Sequence, residues 1–149
     1  MHRRRCHIND TPDPFALDRF LIAQNPVFDA VLSELRQGSK QGHWMWFIFP
    51  QLKGLGSSRM ADKYGISSLA EAEAYLAHPV LGPRLVQCTR LVNSVEGPSI
   101  EQIFGSVDTL KFRSSMTLFA AVSRDASVFA EALCKYFAGR TDRLTLDRL

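Results

Sequence analysis

The sequence predicts a compact, single-domain, all-α fold of seven to nine short helices, with no sheet of consequence. Apolar residues recur at helical spacing along most of the 149 residues, which is the length of one ordinary domain. Capping residues precede these stretches, and glycine or proline follows them. No stretch offers a partner strand for pairing, and the chain has no internal repeat. These local signals agree with one another, which favours a helical domain.

Composition divides the chain into a short arm and one domain. Hydrophobic residues make up 46% of the chain and charged residues 22%, which excludes wholesale disorder. Residues 1–12 are polar and contain Arg3-Arg4-Arg5, so we predict a flexible basic N-terminal arm there and a single helical domain over 13–149. Much of the net charge of +3 comes from this triplet. Nucleic acid is therefore not an expected partner.

Cysteines and histidines give no sign of a metal site. The three cysteines are far apart, without any CxxC spacing, and the four histidines are scattered. No metal and no cofactor are therefore expected, and a reducing, cytoplasmic location fits best. No apolar stretch approaches the roughly 18 residues of a membrane span, so no membrane association is expected.

The first half of the domain contains five predicted helices. The first covers about Phe15–Gln24, and Asn25-Pro26 restarts a second at about Pro26–Arg36, since asparagine caps well and proline suits the first turn. Gly38 would close the second helix in a left-handed conformation. The three others lie at about 43–48, at 58–64 behind a cap by Ser57 or Ser58, and at 68–77.

The later helices begin at similar signals. Ser68 with Glu71, and Ser99 with Gln102, are capping boxes, in which a serine and a residue three positions on satisfy each other's backbone N–H groups. Four further helices are predicted at 84–95, at a single turn ending at Gly105, at 106–122, and at 125–138 with Asp125 as its cap. The tail, 140–149, would add one more docking turn.

Several blocks of the sequence resemble a known family. They are Gly42-His43-Trp44-Met45-Trp46-Phe47-Ile48-Phe49-Pro50-Gln51 with Gly54-Leu55-Gly56, His78-Pro79-Val80-Leu81-Gly82, residues 104–111, Ser114-Ser115-Met116-Thr117-Leu118-Phe119 and Thr145-Leu146. Over about 13–149 the chain resembles the DUF1810 family of small proteins of unknown function, which implies a mainly helical fold and no known catalytic residues. Phe112 stands where the family pattern leads us to expect leucine.

Two further family names bear on the chain. DUF1810 members have been labelled calpastatin-like, but calpastatin is a disordered inhibitor, whereas this chain is apolar and well capped. The order of Asp108, Ser114-Ser115 and residues 116–119 is similar to the C-terminal part of the NADAR family, helical proteins that act on N-glycosidic bonds of ADP-ribose-type or riboflavin-pathway compounds. The Trp-Gly-x-Gly segment and the early Glu-His pair of that family are absent here.

The aromatic run 43–49 contains the first candidate site residues. On a helix, His43 shares a face with Trp46, so His43 is a candidate acid–base residue beside an aromatic wall. Trp44 and Trp46 could stack on a flat ring, with Gln51 as a polar neighbour. The alternative is that the run is simply core.

The second group of candidates lies on the predicted helix 106–122. Asp108, Lys111 and Ser115 follow one another at spacings of three and four, which places them on one face. A carboxylate beside an ammonium could act catalytically, and Ser115 could bind a ligand. The alternatives are a favourable acid at a helix start, a surface ion pair, and small serines that admit a neighbouring helix.

These observations favour a ligand-binding protein and leave its enzymatic status open. The favoured ligand is a nucleotide or an ADP-ribose derivative, and the favoured chemistry is hydrolysis of an N-glycosidic bond. The alternative is a non-enzymatic protein-interaction module or a homo-oligomer, formed through an exposed apolar patch.

Overall fold

The computed structural model describes residues 12–124 and 127–149, and within them it contains ten helices. The helices are α1 (Asp18–Gln24), α2 (Phe28–Gln37), α3 (Met45–Ile48), α4 (Arg59–Lys63), α5 (Leu69–Ala77), α6 (Leu81–Ser94), α7 (Ile100–Phe104), α8 (Ser106–Val122), α9 (Val128–Phe137) and α10 (Arg143–Asp147). The all-helical prediction is confirmed. Ten is one more than the predicted maximum, because the tail forms a helix of its own.

The described residues contain little regular secondary structure besides these helices. Extended pairing in the described part of the chain is limited to one isolated parallel bridge between Leu52 and Ile66. None of the helices described is long and apolar enough to cross a membrane. Most of the predicted arm, residues 1–11, lies outside the described residues, as does the predicted cap Asp125.

Helix α8 is the centre of the fold. It packs against α3, α5, α7, α9 and α10, while α6 packs against α2, α5 and α9. Phe112 of α8 is fully buried, and its ring lies 4.9 Å from that of Phe104 and 5.1 Å from that of Phe49, measured between centroids. The aromatic run thus supplies core residues directly against α8. Its segment 45–48 is helical, as predicted, and not a strand.

Several predicted helix ends are confirmed. Ser58 caps α4 by accepting a hydrogen bond from the backbone N–H of Ala61, and Ser99 with Gln102 forms a reciprocal capping box on α7. Gly38 ends α2 in the left-handed conformation, with φ of +70°. Side chains with short-range signals therefore set these boundaries as expected.

The starts of α1 and α2 differ from the prediction. Helix α1 begins at Asp18 and not at Phe15, because Ala16 has a φ of +52° that interrupts helical backbone. The Asp13 carboxylate accepts hydrogen bonds from the backbone N–H groups of Leu17 and Asp18 in place of a regular cap. Helix α2 begins at Phe28, since Asn25 is still helical and makes no capping bond.

Helices α6 and α9 also start elsewhere than predicted. Helix α6 begins at Leu81, three residues early, because Nδ1 of His78 accepts hydrogen bonds from the backbone N–H groups of Val80 and Leu81. Helix α9 begins at Val128 behind Ser127, whose hydroxyl accepts from the backbone N–H of Ala130. The predicted start at residue 125 was therefore too early.

Only half of the capping box predicted on α5 forms. The Ser68 hydroxyl accepts from the backbone N–H of Glu71, as expected. The Glu71 carboxylate, however, accepts from the N–H and the hydroxyl of Ser67 and pairs with Arg19 at 2.9 Å. The Arg19 guanidinium also donates to four backbone carbonyls, those of Phe15, Ala16, Lys63 and Gly65. This ion pair of a half-buried arginine with a buried glutamate joins α1 to α5, and it leaves Glu71 unavailable to its own cap.

Candidate functional site

The segment between α2 and α3 is held by one carboxylate. Oε1 of Glu34 accepts hydrogen bonds from the backbone N–H groups of Gln41 and Gly42, at 2.7 and 2.9 Å, and from the indole N–H of Trp44 at 2.9 Å. Trp44 is only 2% exposed. Trp44 therefore belongs to the core, and its one polar atom is already occupied.

The hydrogen bonds at Glu34 change its titration. Burial raises the pKa of the carboxyl group, but the hydrogen bonds from Gly42, Gln41 and Trp44 and the charge of Lys40 hold the pKa below its ordinary value of 4.5. A carboxyl group whose pKa is lower in the folded than in the unfolded protein contributes its full stabilisation at pH values above the unfolded pKa. That stabilisation is lost as the pH falls through the folded pKa.

We expect Glu34→Gln to lower the stability at neutral pH and to flatten its decline in acid. The amide keeps the shape of the side chain but cannot lose a proton, so its contribution does not titrate. Urea unfolding of both proteins between neutral pH and about pH 3 measures this difference. The exposed Glu73→Gln is the control, and a wild-type decline that Glu34→Gln reproduces in full would contradict the assignment.

Beside this segment lies a cluster of three charges. Nζ of Lys40 is 2.9 Å from Oδ2 of Asp108, and Nζ of Lys111 is 3.6 Å from Oδ1 of the same carboxylate. Lys40 also donates to the carbonyl of Gly42 and lies 5.0 Å from the Trp44 ring centroid. One carboxylate, that of Asp108, is thus shared by two ammonium groups, and Lys40 is also close enough to Glu34 for its charge to lower the pKa of that carboxyl group.

Lys111 is the more loosely held of the two lysines. Its distance to Asp108 is longer than a charge-assisted hydrogen bond, which is usually about 2.7–2.9 Å. Its Nζ lies 5.7 Å from the centroid of the Trp46 ring, in the range of a cation–π contact. Two predicted site segments about 60 residues apart in sequence are therefore neighbours in space, and Lys111 keeps hydrogen-bonding capacity for a further partner.

Lys111 also lines a groove of about 350 Å³, which we call the α8–α10 groove. Its polar lining residues are Lys111, Gln51, Ser114 and Asp142, and the others are Leu55, Gly56, Val107, Leu110 and Leu144. Ligand sites of about 300–1,000 Å³ typically combine apolar walls with a few polar groups. This groove has the size and the lining of a small-molecule site.

Behind the groove lies a small, more enclosed cavity of about 10 Å³. Gln51 and Lys111 line both spaces, while Trp46, Phe49, Met60 and Tyr64 form much of the inner wall. A cavity of this size has room for about one water molecule. Trp46 therefore contributes the wall behind Lys111 and not the groove surface itself.

The other predicted site residues lie away from the groove lining. His43 is exposed, and Asp108 contacts Lys111 but directs both carboxylate oxygens to lysines. Ser115 is fully buried, and its hydroxyl finds no hydrogen-bond partner among the described residues. Its small side chain is suited to close packing of neighbouring elements against α8. The groove accordingly contains two of the seven predicted site residues, Gln51 and Lys111.

Lys40 and Asp142 were missed in the sequence. Lys40 lies in a short polar segment that resembles any exposed loop, yet its side chain is 8% exposed because Asp108 and Trp44 cover it. Asp142 precedes Thr145 by three residues, which is an N-cap spacing, and this signal could have identified the start of α10.

A second, larger depression of about 610 Å³ lies between α6 and α9. It is wide open, and its lining includes Asn93, Glu131, Cys134 and Lys135. Lys135 is already occupied, since its ammonium donates to the carbonyls of Asn93 and Val95.

Within the described ranges, no three histidine, cysteine, aspartate or glutamate side chains are grouped to hold a metal ion. Of the α8–α10 groove and the depression between α6 and α9, the groove is the better candidate site, because its lysine keeps hydrogen-bonding capacity.

Comparison with known proteins gives a family and a similar structure. The model of a family described as a protein of unknown function, DUF1810, matches residues 14–149. The chain is similar to the conserved hypothetical protein Rv1873 from Mycobacterium tuberculosis, whose crystal structure matches it with a TM-score of 0.91. The two sequences are 59% identical, and the match covers 92% of this chain and 98% of that chain. No curated protein matches. These matches give no support to the narrower similarity to the NADAR family.

Proposed function

Because this chain belongs to the DUF1810 family, whose function is unknown, we propose from its geometry that it binds a nucleotide- or ADP-ribose-type ligand in the α8–α10 groove. The observation that carries the proposal is Lys111, a lysine that Asp108 holds only loosely and that lines a groove of ligand size. A phosphate group would take the free hydrogen-bonding capacity of Lys111. The apolar walls would contact the base.

The chemistry of the lining supports an anionic ligand with an apolar part. Lys40 lies closer to Asp108 than Lys111 does, so the Lys111 ammonium keeps hydrogen-bonding capacity for an anionic group. Gln51 adds an amide that can donate and accept. Leu110, Leu144 and Val107 offer apolar surface at the mouth of the groove. Together these groups match a phosphate, a polar linker and a ring system.

Binding is better supported than catalysis. Hydrolysis of an N-glycosidic bond would need an acid or base beside the ligand. Neither Asp108 nor His43, the acid–base residues predicted from the sequence, lines the groove, and the carboxylate that does, Asp142, caps α10. We therefore propose ligand binding as the function, and product formation in the same samples would add the hydrolysis that the sequence analysis left open.

A thermal-shift screen with AMP, ADP, ADP-ribose and NAD tests the proposal. A ligand at about 100 times its dissociation constant should add about 2.7 kcal/mol of stability. We expect Lys111→Met to weaken binding about 10- to 100-fold, because a charge-assisted hydrogen bond is lost while the aliphatic stem over Trp46 remains. The exposed Lys63→Met is the matched control and should bind as the wild type does. No shift with any of the four compounds would overturn the proposal.

A second candidate function rests on the same face of the molecule. Val107, Leu110 and Leu144, which all line the groove, are 64–65% exposed, and Leu146 and Leu149 in the tail are also exposed. Exposed apolar patches often mark protein contacts. We propose, as the alternative to ligand binding, that this face pairs with a second copy of the chain. Sedimentation equilibrium tests it: a dimer that ligands do not perturb favours pairing, and a monomer at every concentration excludes it.

A further inference from the structure

Asp142 presents a fixed carboxylate to the groove. Its Oδ2 accepts hydrogen bonds from the Ser114 hydroxyl at 3.0 Å, from the Thr145 backbone N–H at 3.1 Å and from the Thr145 hydroxyl. Its own backbone N–H donates to Oγ1 of Thr117 at 2.8 Å. These four bonds hold the residue between α8 and α10. No described residue donates a hydrogen bond to the other oxygen, Oδ1.

The free oxygen calls for a hydrogen-bond donor on the ligand. A carboxylate accepts hydrogen bonds but cannot donate them, so its partner must carry N–H or O–H groups. A hydroxyl group meets the requirement without adding charge. Acidic side chains bind ribose hydroxyls in this way in dinucleotide sites of other folds.

The two charged residues are close enough for one small ligand. Ser114 follows Lys111 by three residues, so their positions on α8 are about 4.5 Å apart along the helix axis. The Lys111 ammonium reaches back towards Asp108, and Ser114 touches the Asp142 carboxylate, so the two charged groups lie within about two helical turns of each other along α8. In a nucleotide, the phosphate and the ribose hydroxyls are separated by a few bonds. The pair therefore suits the phosphate–sugar unit.

We propose that Asp142 binds the ribose hydroxyls of the nucleotide whose phosphate Lys111 binds, and so selects ribonucleotides over analogues without those hydroxyls. The proposal rests on the proposed function, and it adds the sugar specificity and a residue that the sequence did not identify. Leu110 and Leu144 remain as the surface for the base.

Calorimetric titration with AMP and with 2′,3′-dideoxy-AMP tests this assignment. The wild type should bind AMP about 10- to 100-fold more tightly than the dideoxy analogue, the usual contribution of hydrogen bonds to a charged group. Asp142→Ser should lose that preference, because serine still caps α10 but has no carboxylate. Asp147→Asn, an exposed carboxylate on the same helix, is the control and should keep it.

The outcomes separate this inference from the proposed function. Equal wild-type binding of AMP and the dideoxy analogue overturns the role of Asp142 while nucleotide binding stands. Binding of ADP-ribose without AMP also overturns it, since AMP already contains the phosphate–sugar unit. Binding of no nucleotide removes the proposed function itself. If Asp142→Ser does not fold, Asp142→Asn keeps a capping acceptor without the charge, and an undiminished preference for AMP in that variant overturns the inference.

Discussion

Replacing Phe112 by alanine is expected to lower the free energy of unfolding by about 3–5 kcal/mol. The side chain is fully buried in α8, where its ring contacts those of Phe49, Phe104 and Phe137, with centroids 4.9–6.3 Å away. Alanine would leave a cavity among aromatic rings that belong to three other elements. Because packing around such a site relaxes only partly, the lost contacts are not recovered.

Urea unfolding followed by circular dichroism measures the loss at Phe112. Phe112→Leu is the matched variant, because the family pattern leads us to expect leucine at this position. It should cost about 1 kcal/mol, since most of the buried volume is kept. A loss below about 1 kcal/mol for Phe112→Ala would mean that α8 is not the centre of the core.

Replacing Gly82 by alanine should destabilise the protein by about 3 kcal/mol or more, opposite to the usual effect in helices. Alanine in place of glycine normally stabilises a helix interior by about 1 kcal/mol. Here a Cβ atom would lie 2.1 Å from the carbonyl oxygen of Leu76, which is backbone of α5. Backbone cannot move aside as a flexible side chain can, so α5 and α6 would have to separate.

Thermal and urea unfolding of Gly82→Ala measure the loss of stability that this separation would cause. The exposed Gln87→Ala in the same helix is the control for helix propensity, and we expect its effect to be within about 0.5 kcal/mol of zero. A Gly82→Ala protein as stable as wild type would show that α5 and α6 do not approach as closely as the structure has them.

Helix caps and helical spacing predicted most of the fold, because these signals involve residues no more than four positions apart and can be read from the sequence alone. Helix α8 has the bounds expected from its sequence, and Ser58 and Ser99 cap the helices they were expected to cap. The failures came where a side chain acts outside the usual position. His78 caps α6 with an imidazole nitrogen, and Asp13 reaches past Ala16 to α1. Neither residue pattern is a common helix signal.

The candidate site could be predicted only in part, because it is assembled by tertiary contacts. Helical spacing placed Asp108 and Lys111 together correctly, since three residues make nearly one turn. The contact of Lys111 with Trp46, and the approach of Asp142 to Ser114, depend on how α3 and α10 pack on α8. No spacing rule relates residues that far apart. The burial of Trp44 likewise depends on Glu34, ten residues earlier.

The most direct test of nucleotide binding in the α8–α10 groove is a titration of ¹⁵N-labelled protein with AMP, followed through the backbone amide signals. We expect the largest shifts at Gln51, Gly56, Lys111 and Asp142, and small shifts around Asn93 and Cys134 in the depression between α6 and α9. Lys111→Met should remove the shifts at matched AMP concentration. Shifts centred on that second depression, or no shifts at any concentration, would contradict the assignment of the groove.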